Sequence, residues 1–209
     1  MADTTADLVH GNASDVSAGV ALGALNHGFL LASAKDFNSD IDVLNYALTL
    51  EYLEAEFYRQ GNKAGLLKGT EKQYLMQIGA DEASHVATVT ATIQKLGGTP
   101  VGAPAVDFGG AFDSRKSYLT TSHIFENKGV GAYLGAAGFI KNKMILQAAA
   151  GIFGVEARHA AVVGNLLGLK AEGGVYMGAF ETPIAKNDVL KAVAPFLVDP
   201  AKVVAAITL

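Results

Sequence analysis

Cysteine and tryptophan are both missing from this 209-residue chain. The first absence excludes disulfides, thiolate zinc sites, cysteine nucleophiles and iron–sulfur clusters together. Charge is sparse as well: charged residues make up 17%, the net charge is −4, and no block of like charges occurs. Nucleic-acid binding needs a basic stripe, so no nucleic-acid partner is expected. No run of 18 or more apolar residues is present, so no membrane span is expected either. Segment 17–34 comes nearest, but Asn26 and His27 interrupt it. Its N-terminal flank carries Asp3, Asp7 and Asp15 where a secretory signal would carry Lys or Arg, so it reads as an apolar arm packed on the core. The expected location is therefore the cytoplasm, the alternative being the mature form of an exported protein. What the chain does have is apolar residues, at 50%, and 24 glycines. That is enough for a full-size core, with small residues to let helices approach closely.

Signals for strands are scarce, and helical periods dominate. Ser39 and Asp42 form a capping box with Asp in place of Glu. Behind them Ile41, Leu44, Leu48, Tyr52 and Ala55 recur at helical spacing, which predicts a first helix over 41–60 with Gly61 as its stop. Thr70 and Gln73 read as a second capping box and open a helix over 71–96. Segment 97–113 is rich in Gly and Pro and reads as a long crossover. A third helix is predicted over 114–139, weakened in its later half by Gly129, Gly131, Gly135 and Gly138. A fourth follows over 141–167, with short helices in the tail at 187–198 and 200–207. The expected organisation is an arm over 1–36, an all-α four-helix bundle over 37–169 made of two hairpins joined by one long link, and an extension over 170–209 packed on the bundle.

Two of the five histidines follow a glutamate by three residues, as Glu82-Ala-Ser-His85 and Glu156-Ala-Arg-His159. Residues i and i+3 share one helix face, so each pair aims a carboxylate and an imidazole at one point. Both pairs fall in mid-helix, where a bundle core can hold an ion away from bulk water. A di-metal site also needs one inward carboxylate from each of the other two helices. The third helix offers Glu126; the first offers Glu51, Glu54 and Glu56.

An internal repeat chooses among these three. Tyr133 follows Glu126 by seven residues, and Tyr58 follows Glu51 by seven. The distance from the first glutamate to the second is 31 residues in one half and 30 in the other. By the helical period, Glu54 lies about 60° from Glu51 and Glu56 about 140°. Glu56 therefore faces solvent and Glu54 is the lesser candidate.

The resulting set is Glu51, Glu82, His85, Glu126, Glu156 and His159, with Arg158 the one basic residue inside the two motifs and off their shared face. Unpaired carboxylates in a core are costly, and metal is the usual resolution. Carboxylates with imidazole suit two divalent iron or manganese ions. Tyr58 and Tyr133 read either as partners of the opposite helix's glutamate or as plain core tyrosines. His123 reads as a surface or internally satisfied histidine. Ala- and Gly-rich surfaces on the third and fourth helices permit a homodimer.

At these residues the sequence resembles the ferritin-like superfamily, and within it the desiccation-related ferritin-like domain family. Segments 44–61 (LNYALTLEYLEAEFYRQG), 81–86 (DEASHV), 126–137 (ENKGVGAYLGAA) and 156–163 (EARHAAVV) carry the resemblance. It implies a ferritin-like bundle in which Glu82 and Glu156 bridge two metals, Glu51 and Glu126 are terminal carboxylates, and His85 and His159 bind one metal each. It further implies reaction with oxygen or peroxide, as a ferroxidase or peroxide-consuming oxidoreductase, in stress or desiccation protection. The alternative is a non-catalytic structural or metal-sequestering stress protein. The long glycine-rich crossover and the C-terminal extension depart from cage-forming ferritins, and no cysteine-ligated iron domain is present.

Overall fold

The structure is a computed structural model and describes residues 36–207; the apolar arm read at 17–34 lies outside the described residues. Helix α1 (Asp40–Lys63) starts where Ser39 Oγ accepts the amide of Asp42 and Asp42 Oδ2 accepts the amide of Ser39, at 3.2 and 3.1 Å. The neighbouring Asp40 reaches across the bundle, accepting the amides of Lys141 and Asn142 at 2.7 and 3.0 Å. It thereby ties the start of the first hairpin to the start of the last bundle helix.

Helix α1 is the most deeply buried element, with Tyr46, Leu48, Leu53, Phe57 and Tyr58 almost without exposure. It does not stop at Gly61. It runs on to Lys63, and Gly61 is instead a point of close approach: a Cβ there would lie 2.2 Å from the Tyr118 ring.

Helix α2 (Gly69–Lys95) lies antiparallel beside α1. Its start is two residues earlier than the Thr70–Gln73 box predicts. Lys68 occupies the cap position, and no side chain caps the helix. Only one narrow stripe is buried: Leu75, Ile78, Glu82, His85, Val89 and Ile93. These positions are spaced by three or four residues, as in the seam of a helical bundle. Two polar residues thus occupy core positions in an otherwise apolar seam.

The crossover ends in a 3₁₀ turn (Gly109–Phe112) before α3 (Arg115–Ala137), which Ser114 and Ser117 cap reciprocally. Helix α4 (Lys143–Leu166) follows, capped by Asn142. Pairs α1/α2 and α3/α4 are the two hairpins, each packed along its length. The three glycines inside α3, Gly129, Gly131 and Gly135, do not break it, and Gly138 caps its end. Gly131 and Gly135 leave room for Ile184 of the tail, whose amide donates to the Gly131 carbonyl at 2.9 Å.

The tail forms α5 (Lys186–Val193), a 3₁₀ turn (Ala194–Phe196) and α6 (Pro200–Ala206), so the single helix expected over 187–198 is shorter and ends in a tighter turn. Pro195 cannot continue an α-helical ladder, which explains the change. The crossover and tail are laced together by Asp107 N to Phe196 O and Val198 N to Ala105 O, both at 3.0 Å. Beneath them Phe57 packs against Phe108, Phe112, Tyr118 and Phe125 with ring centroids 4.9–5.3 Å apart, closing one end of the bundle. Among the described residues there are no strands, and no helix is long and apolar enough to cross a membrane.

Candidate metal centre

Halfway along the bundle the apolar seam is interrupted on all four helices at one level. Glu51 from α1, Glu82 from α2, Glu126 from α3 and Glu156 from α4 have no exposed surface. His85 and His159 stand beside them, 9% and 5% exposed. The six residues singled out by spacing are therefore brought together.

Nδ1 of His85 lies 3.2 Å from Glu51, 3.1 Å from Glu82 and 3.2 Å from Glu156. Nδ1 of His159 lies 3.0 Å from Glu82 and 3.2 Å from Glu126. Two overlapping donor sets result. One is Glu51, Glu82, His85 and Glu156; the other is Glu82, Glu126, Glu156 and His159. Within each set the ligand atoms lie within 4.8 Å of one another. Glu82 and Glu156 belong to both, as two carboxylates placed between two ions would.

The donor atoms are short of partners. Glu51 Oε2, Glu82 Oε1, Glu126 Oε2, both oxygens of Glu156 and His159 Nδ1 are buried without a well-aligned hydrogen bond. Orphaned oxygens of this kind are rare in cores and mark a missing ion or a strained site. Four carboxylates also supply the charge that two divalent cations would neutralise. The hard oxygens with one imidazole each fit iron or manganese, and the site has no soft sulfur donor.

Electrostatics follow the same geometry. Burial opposes a charge on His85, but hydrogen bonds with Glu156, Glu51 and Glu82 push its imidazolium up to about 12. His159 is likewise disfavoured by burial yet raised to about 11 by Glu126 and Glu82. Burial raises Glu51, Glu126 and Glu156 above the usual carboxylate range. In Glu82, burial is outweighed by hydrogen bonds with His159 and His85, which take it down. Protonated imidazoles thus stand in for cations.

Behind the cluster, the hydroxyl of Tyr58 on α1 donates to Glu126 on α3, and that of Tyr133 on α3 donates to Glu51 on α1. Ser122 adds a contact to the Tyr58 hydroxyl at 2.5 Å. The seven-residue offset places each tyrosine two turns from its own glutamate, opposite the glutamate of the antiparallel neighbour. His123 is turned away and satisfied, its Nε2 donating to the Gly174 carbonyl at 2.9 Å. Arg158 is exposed and bonds the Gly154 carbonyl, and Glu56 pairs with Arg59 at 2.6 Å.

Three residues of the site exceed what spacing reveals. Glu54 is buried, at 4% exposure, and burial together with the charges of Glu156, Glu82, Glu126 and Glu51 pushes its carboxyl well above the usual carboxylate range. Asp81 Oδ2 lies 3.2 Å from His159 Nε2. Gly129 clears the space in front of Glu156: a Cβ there would lie 2.8 Å from Glu156 Oε2 and 3.4 Å from Glu54 Oε1.

The model of the ferritin-like domain family matches residues 39–169 of the chain. A solved structure of ferritin like, diiron-carboxylate proteins from Bacillus anthracis str. Ames is similar in fold, with 22% identity and a TM-score of 0.50. The likeness covers 61% of this chain and 94% of that one. No curated protein sequence matches the chain.

Proposed function

From the premise that this chain belongs to the ferritin-like domain family, we propose that it binds two divalent ions, iron or manganese, between its two hairpins. We propose further that it uses them to consume oxygen or peroxide, in protection against oxidative stress or drying. The observation that carries the reading is the pair of donor sets sharing Glu82 and Glu156, with buried oxygens left over. Glu51 and His85 would complete one position, and Glu126 and His159 the other.

Bound there, two redox-active ions would supply the electrons that reduce oxygen or peroxide. The chain's own part is positional. Tyr58 and Tyr133 fix one oxygen each of Glu126 and Glu51, leaving the second oxygen to face the cluster. The seam residues above and below, Ile78 and Val89 on α2 and Val163 on α4, keep bulk water out.

The test is anaerobic loading of the metal-free protein with Fe(II) or Mn(II), followed by metal analysis. Two ions per chain are expected, falling sharply in Glu82→Gln and Glu156→Gln variants that remain folded. Fewer than one ion in the folded wild type would overturn the reading. Oxygen and peroxide consumption by the loaded protein then separates a redox role from a sequestering or stapling one, which predicts two ions and no turnover.

A further inference from the structure

The repeat that relates the two hairpins fails beside the metal centre at Glu54, whose counterpart is Gly129, and again at Asp81. Glu82 is preceded by Asp81, and Glu156 by Val155. Asp81 Oδ2 lies 3.2 Å from His159 Nε2, and Gln77 Nε2 donates to Asp81 Oδ1 at 2.9 Å. The positions matching Gln77 and Asp81 in the second hairpin are Gly151 and Val155, neither with a polar side chain. His85 accordingly meets carboxylates through Nδ1 only, all of them in the cluster, among the described residues. One imidazole is gripped at both ring nitrogens and the other at one.

An acceptor at Nε2 fixes the proton there and leaves the Nδ1 lone pair aimed at the ion. It also stops the ring from rotating and makes Nδ1 a stronger donor. The anchor is itself anchored, because Gln77 occupies the other oxygen of Asp81. The remaining ligands do not offset the difference: each donor set has three glutamates, two of them shared.

We propose that the two metal positions are inequivalent: the one built on His159 fills first and holds its ion more tightly, with Asp81 as the positioning residue that acts through His159. This inference rests on the two-metal reading above.

Its test is titration of the full-length, metal-free protein with Co(II), followed by visible ligand-field absorption and calorimetry. Two binding events separated by about tenfold or more are expected, the size of effect typical for a carboxylate behind a metal-bound histidine. Asp81→Ala should weaken the tighter event about tenfold and leave the weaker one in place. Asp81→Asn keeps an acceptor oxygen without the charge and should recover part of the loss. In a His159→Ala background the tighter event should vanish and Asp81→Ala should change nothing further, a coupling that a general structural role would not produce. Val155→Asp, at a half-buried position, should strengthen the weaker event and offers a gain of function if the loss variants fold poorly. Equal affinities in the wild type, or an Asp81→Ala effect that persists without His159, would overturn the inference while leaving the two-metal reading intact. Absence of any Co(II) binding by the folded wild type would instead sink the two-metal reading itself.

Discussion

Replacing Gly129 by alanine should pull metal affinity and fold stability in opposite directions. The added methyl would sit 2.8 Å from Glu156 Oε2 and 3.5 Å from Glu156 Cδ. An ordinary carbon–oxygen contact is longer, so the carboxylate must retreat by about 0.5 Å, given typical non-bonded separations. For folding, that retreat is cheap, because the atom is the end of a flexible side chain in a spot with no aligned partner. Helix α3 gains at the same time, since Ala is about 0.8–1 kcal/mol better than Gly in a helix interior. In a domain of this size such a gain raises the melting temperature by about 2–4 °C. Metal ligation has no such tolerance: ligand distances must hold to about 0.2 Å. Glu156 belongs to both donor sets, so both ions should suffer, by about tenfold or more each, or about 1.4 kcal/mol per position.

Paired thermal melts of the metal-free protein and metal titrations read both quantities. Gly154→Ala is the control, because its methyl would meet nothing nearer than Arg158 Nη1 at 3.6 Å. It should stabilise its own helix, α4, by a similar amount and leave binding untouched. Wild-type affinity in Gly129→Ala would refute the claim that this glycine exists to clear space for Glu156, and a large loss of stability would refute the claim that the carboxylate can step aside.

Further outcomes follow from the same geometry. Glu51→Ala should sharply reduce occupancy at the His85 position, whereas Glu54→Gln should cost little metal and leave the metal-free protein at least as stable, because a neutral amide replaces a buried acid whose ionisation burial and four carboxylates oppose; metal analysis and urea melts of the two variants decide it. Tyr58→Phe and Tyr133→Phe each strip a donor from a buried carboxylate, so each should lower stability by about 1–3 kcal/mol without metal. Unchanged urea midpoints would mean the tyrosines are only core filling. Binding should rise with pH, since imidazoliums held up to about 12 and 11 must shed their protons before Nδ1 can ligate. The same raised values stabilise the metal-free fold below about pH 6.5 in full, and that stabilisation is lost only as pH climbs through the folded-state values. Near neutrality each ion should therefore displace an imidazole proton together with any held on the raised carboxylates, and gain about tenfold or more in affinity per pH unit. Calorimetry in buffers of differing ionisation enthalpy counts the protons, and a pH-independent affinity would contradict the assignment.

The hairpin plan and the six converging residues were legible because they depend on periods a chain carries locally. Glu-x-x-His repeats within one helix, and the glutamate–tyrosine offset recurs in its counterpart. Residues whose meaning lies in another element were harder to read. Gly61 resembles a helix stop until Tyr118, 57 positions away, is seen lying across it. The glycines of α3 look like weak points in a helix, yet three of them are contact surfaces for Glu156 and Ile184. Glu54 was placed by angle alone, and angle could not show that α1 is covered on nearly every side. Asp81 sits next to a recognised motif, but its partner His159 belongs to the other hairpin, and no spacing rule connects them.

The distribution of donors between the hairpins bears on how the chain assembles. Each hairpin joins helices adjacent in sequence and can form through short-range contacts, whereas neither owns a complete ligand set: the His85 position borrows Glu156, and the His159 position borrows Glu82. Two imidazoliums offset only part of the repulsion among four carboxylates, so the docking of one preformed half on the other would be the folding step that carries an electrostatic barrier. Bound ions would lower that barrier and latch the final stage. Hydrogen exchange should register this as amide protection gained on metal addition mainly at the seam between hairpins, while protection within each hairpin changes little.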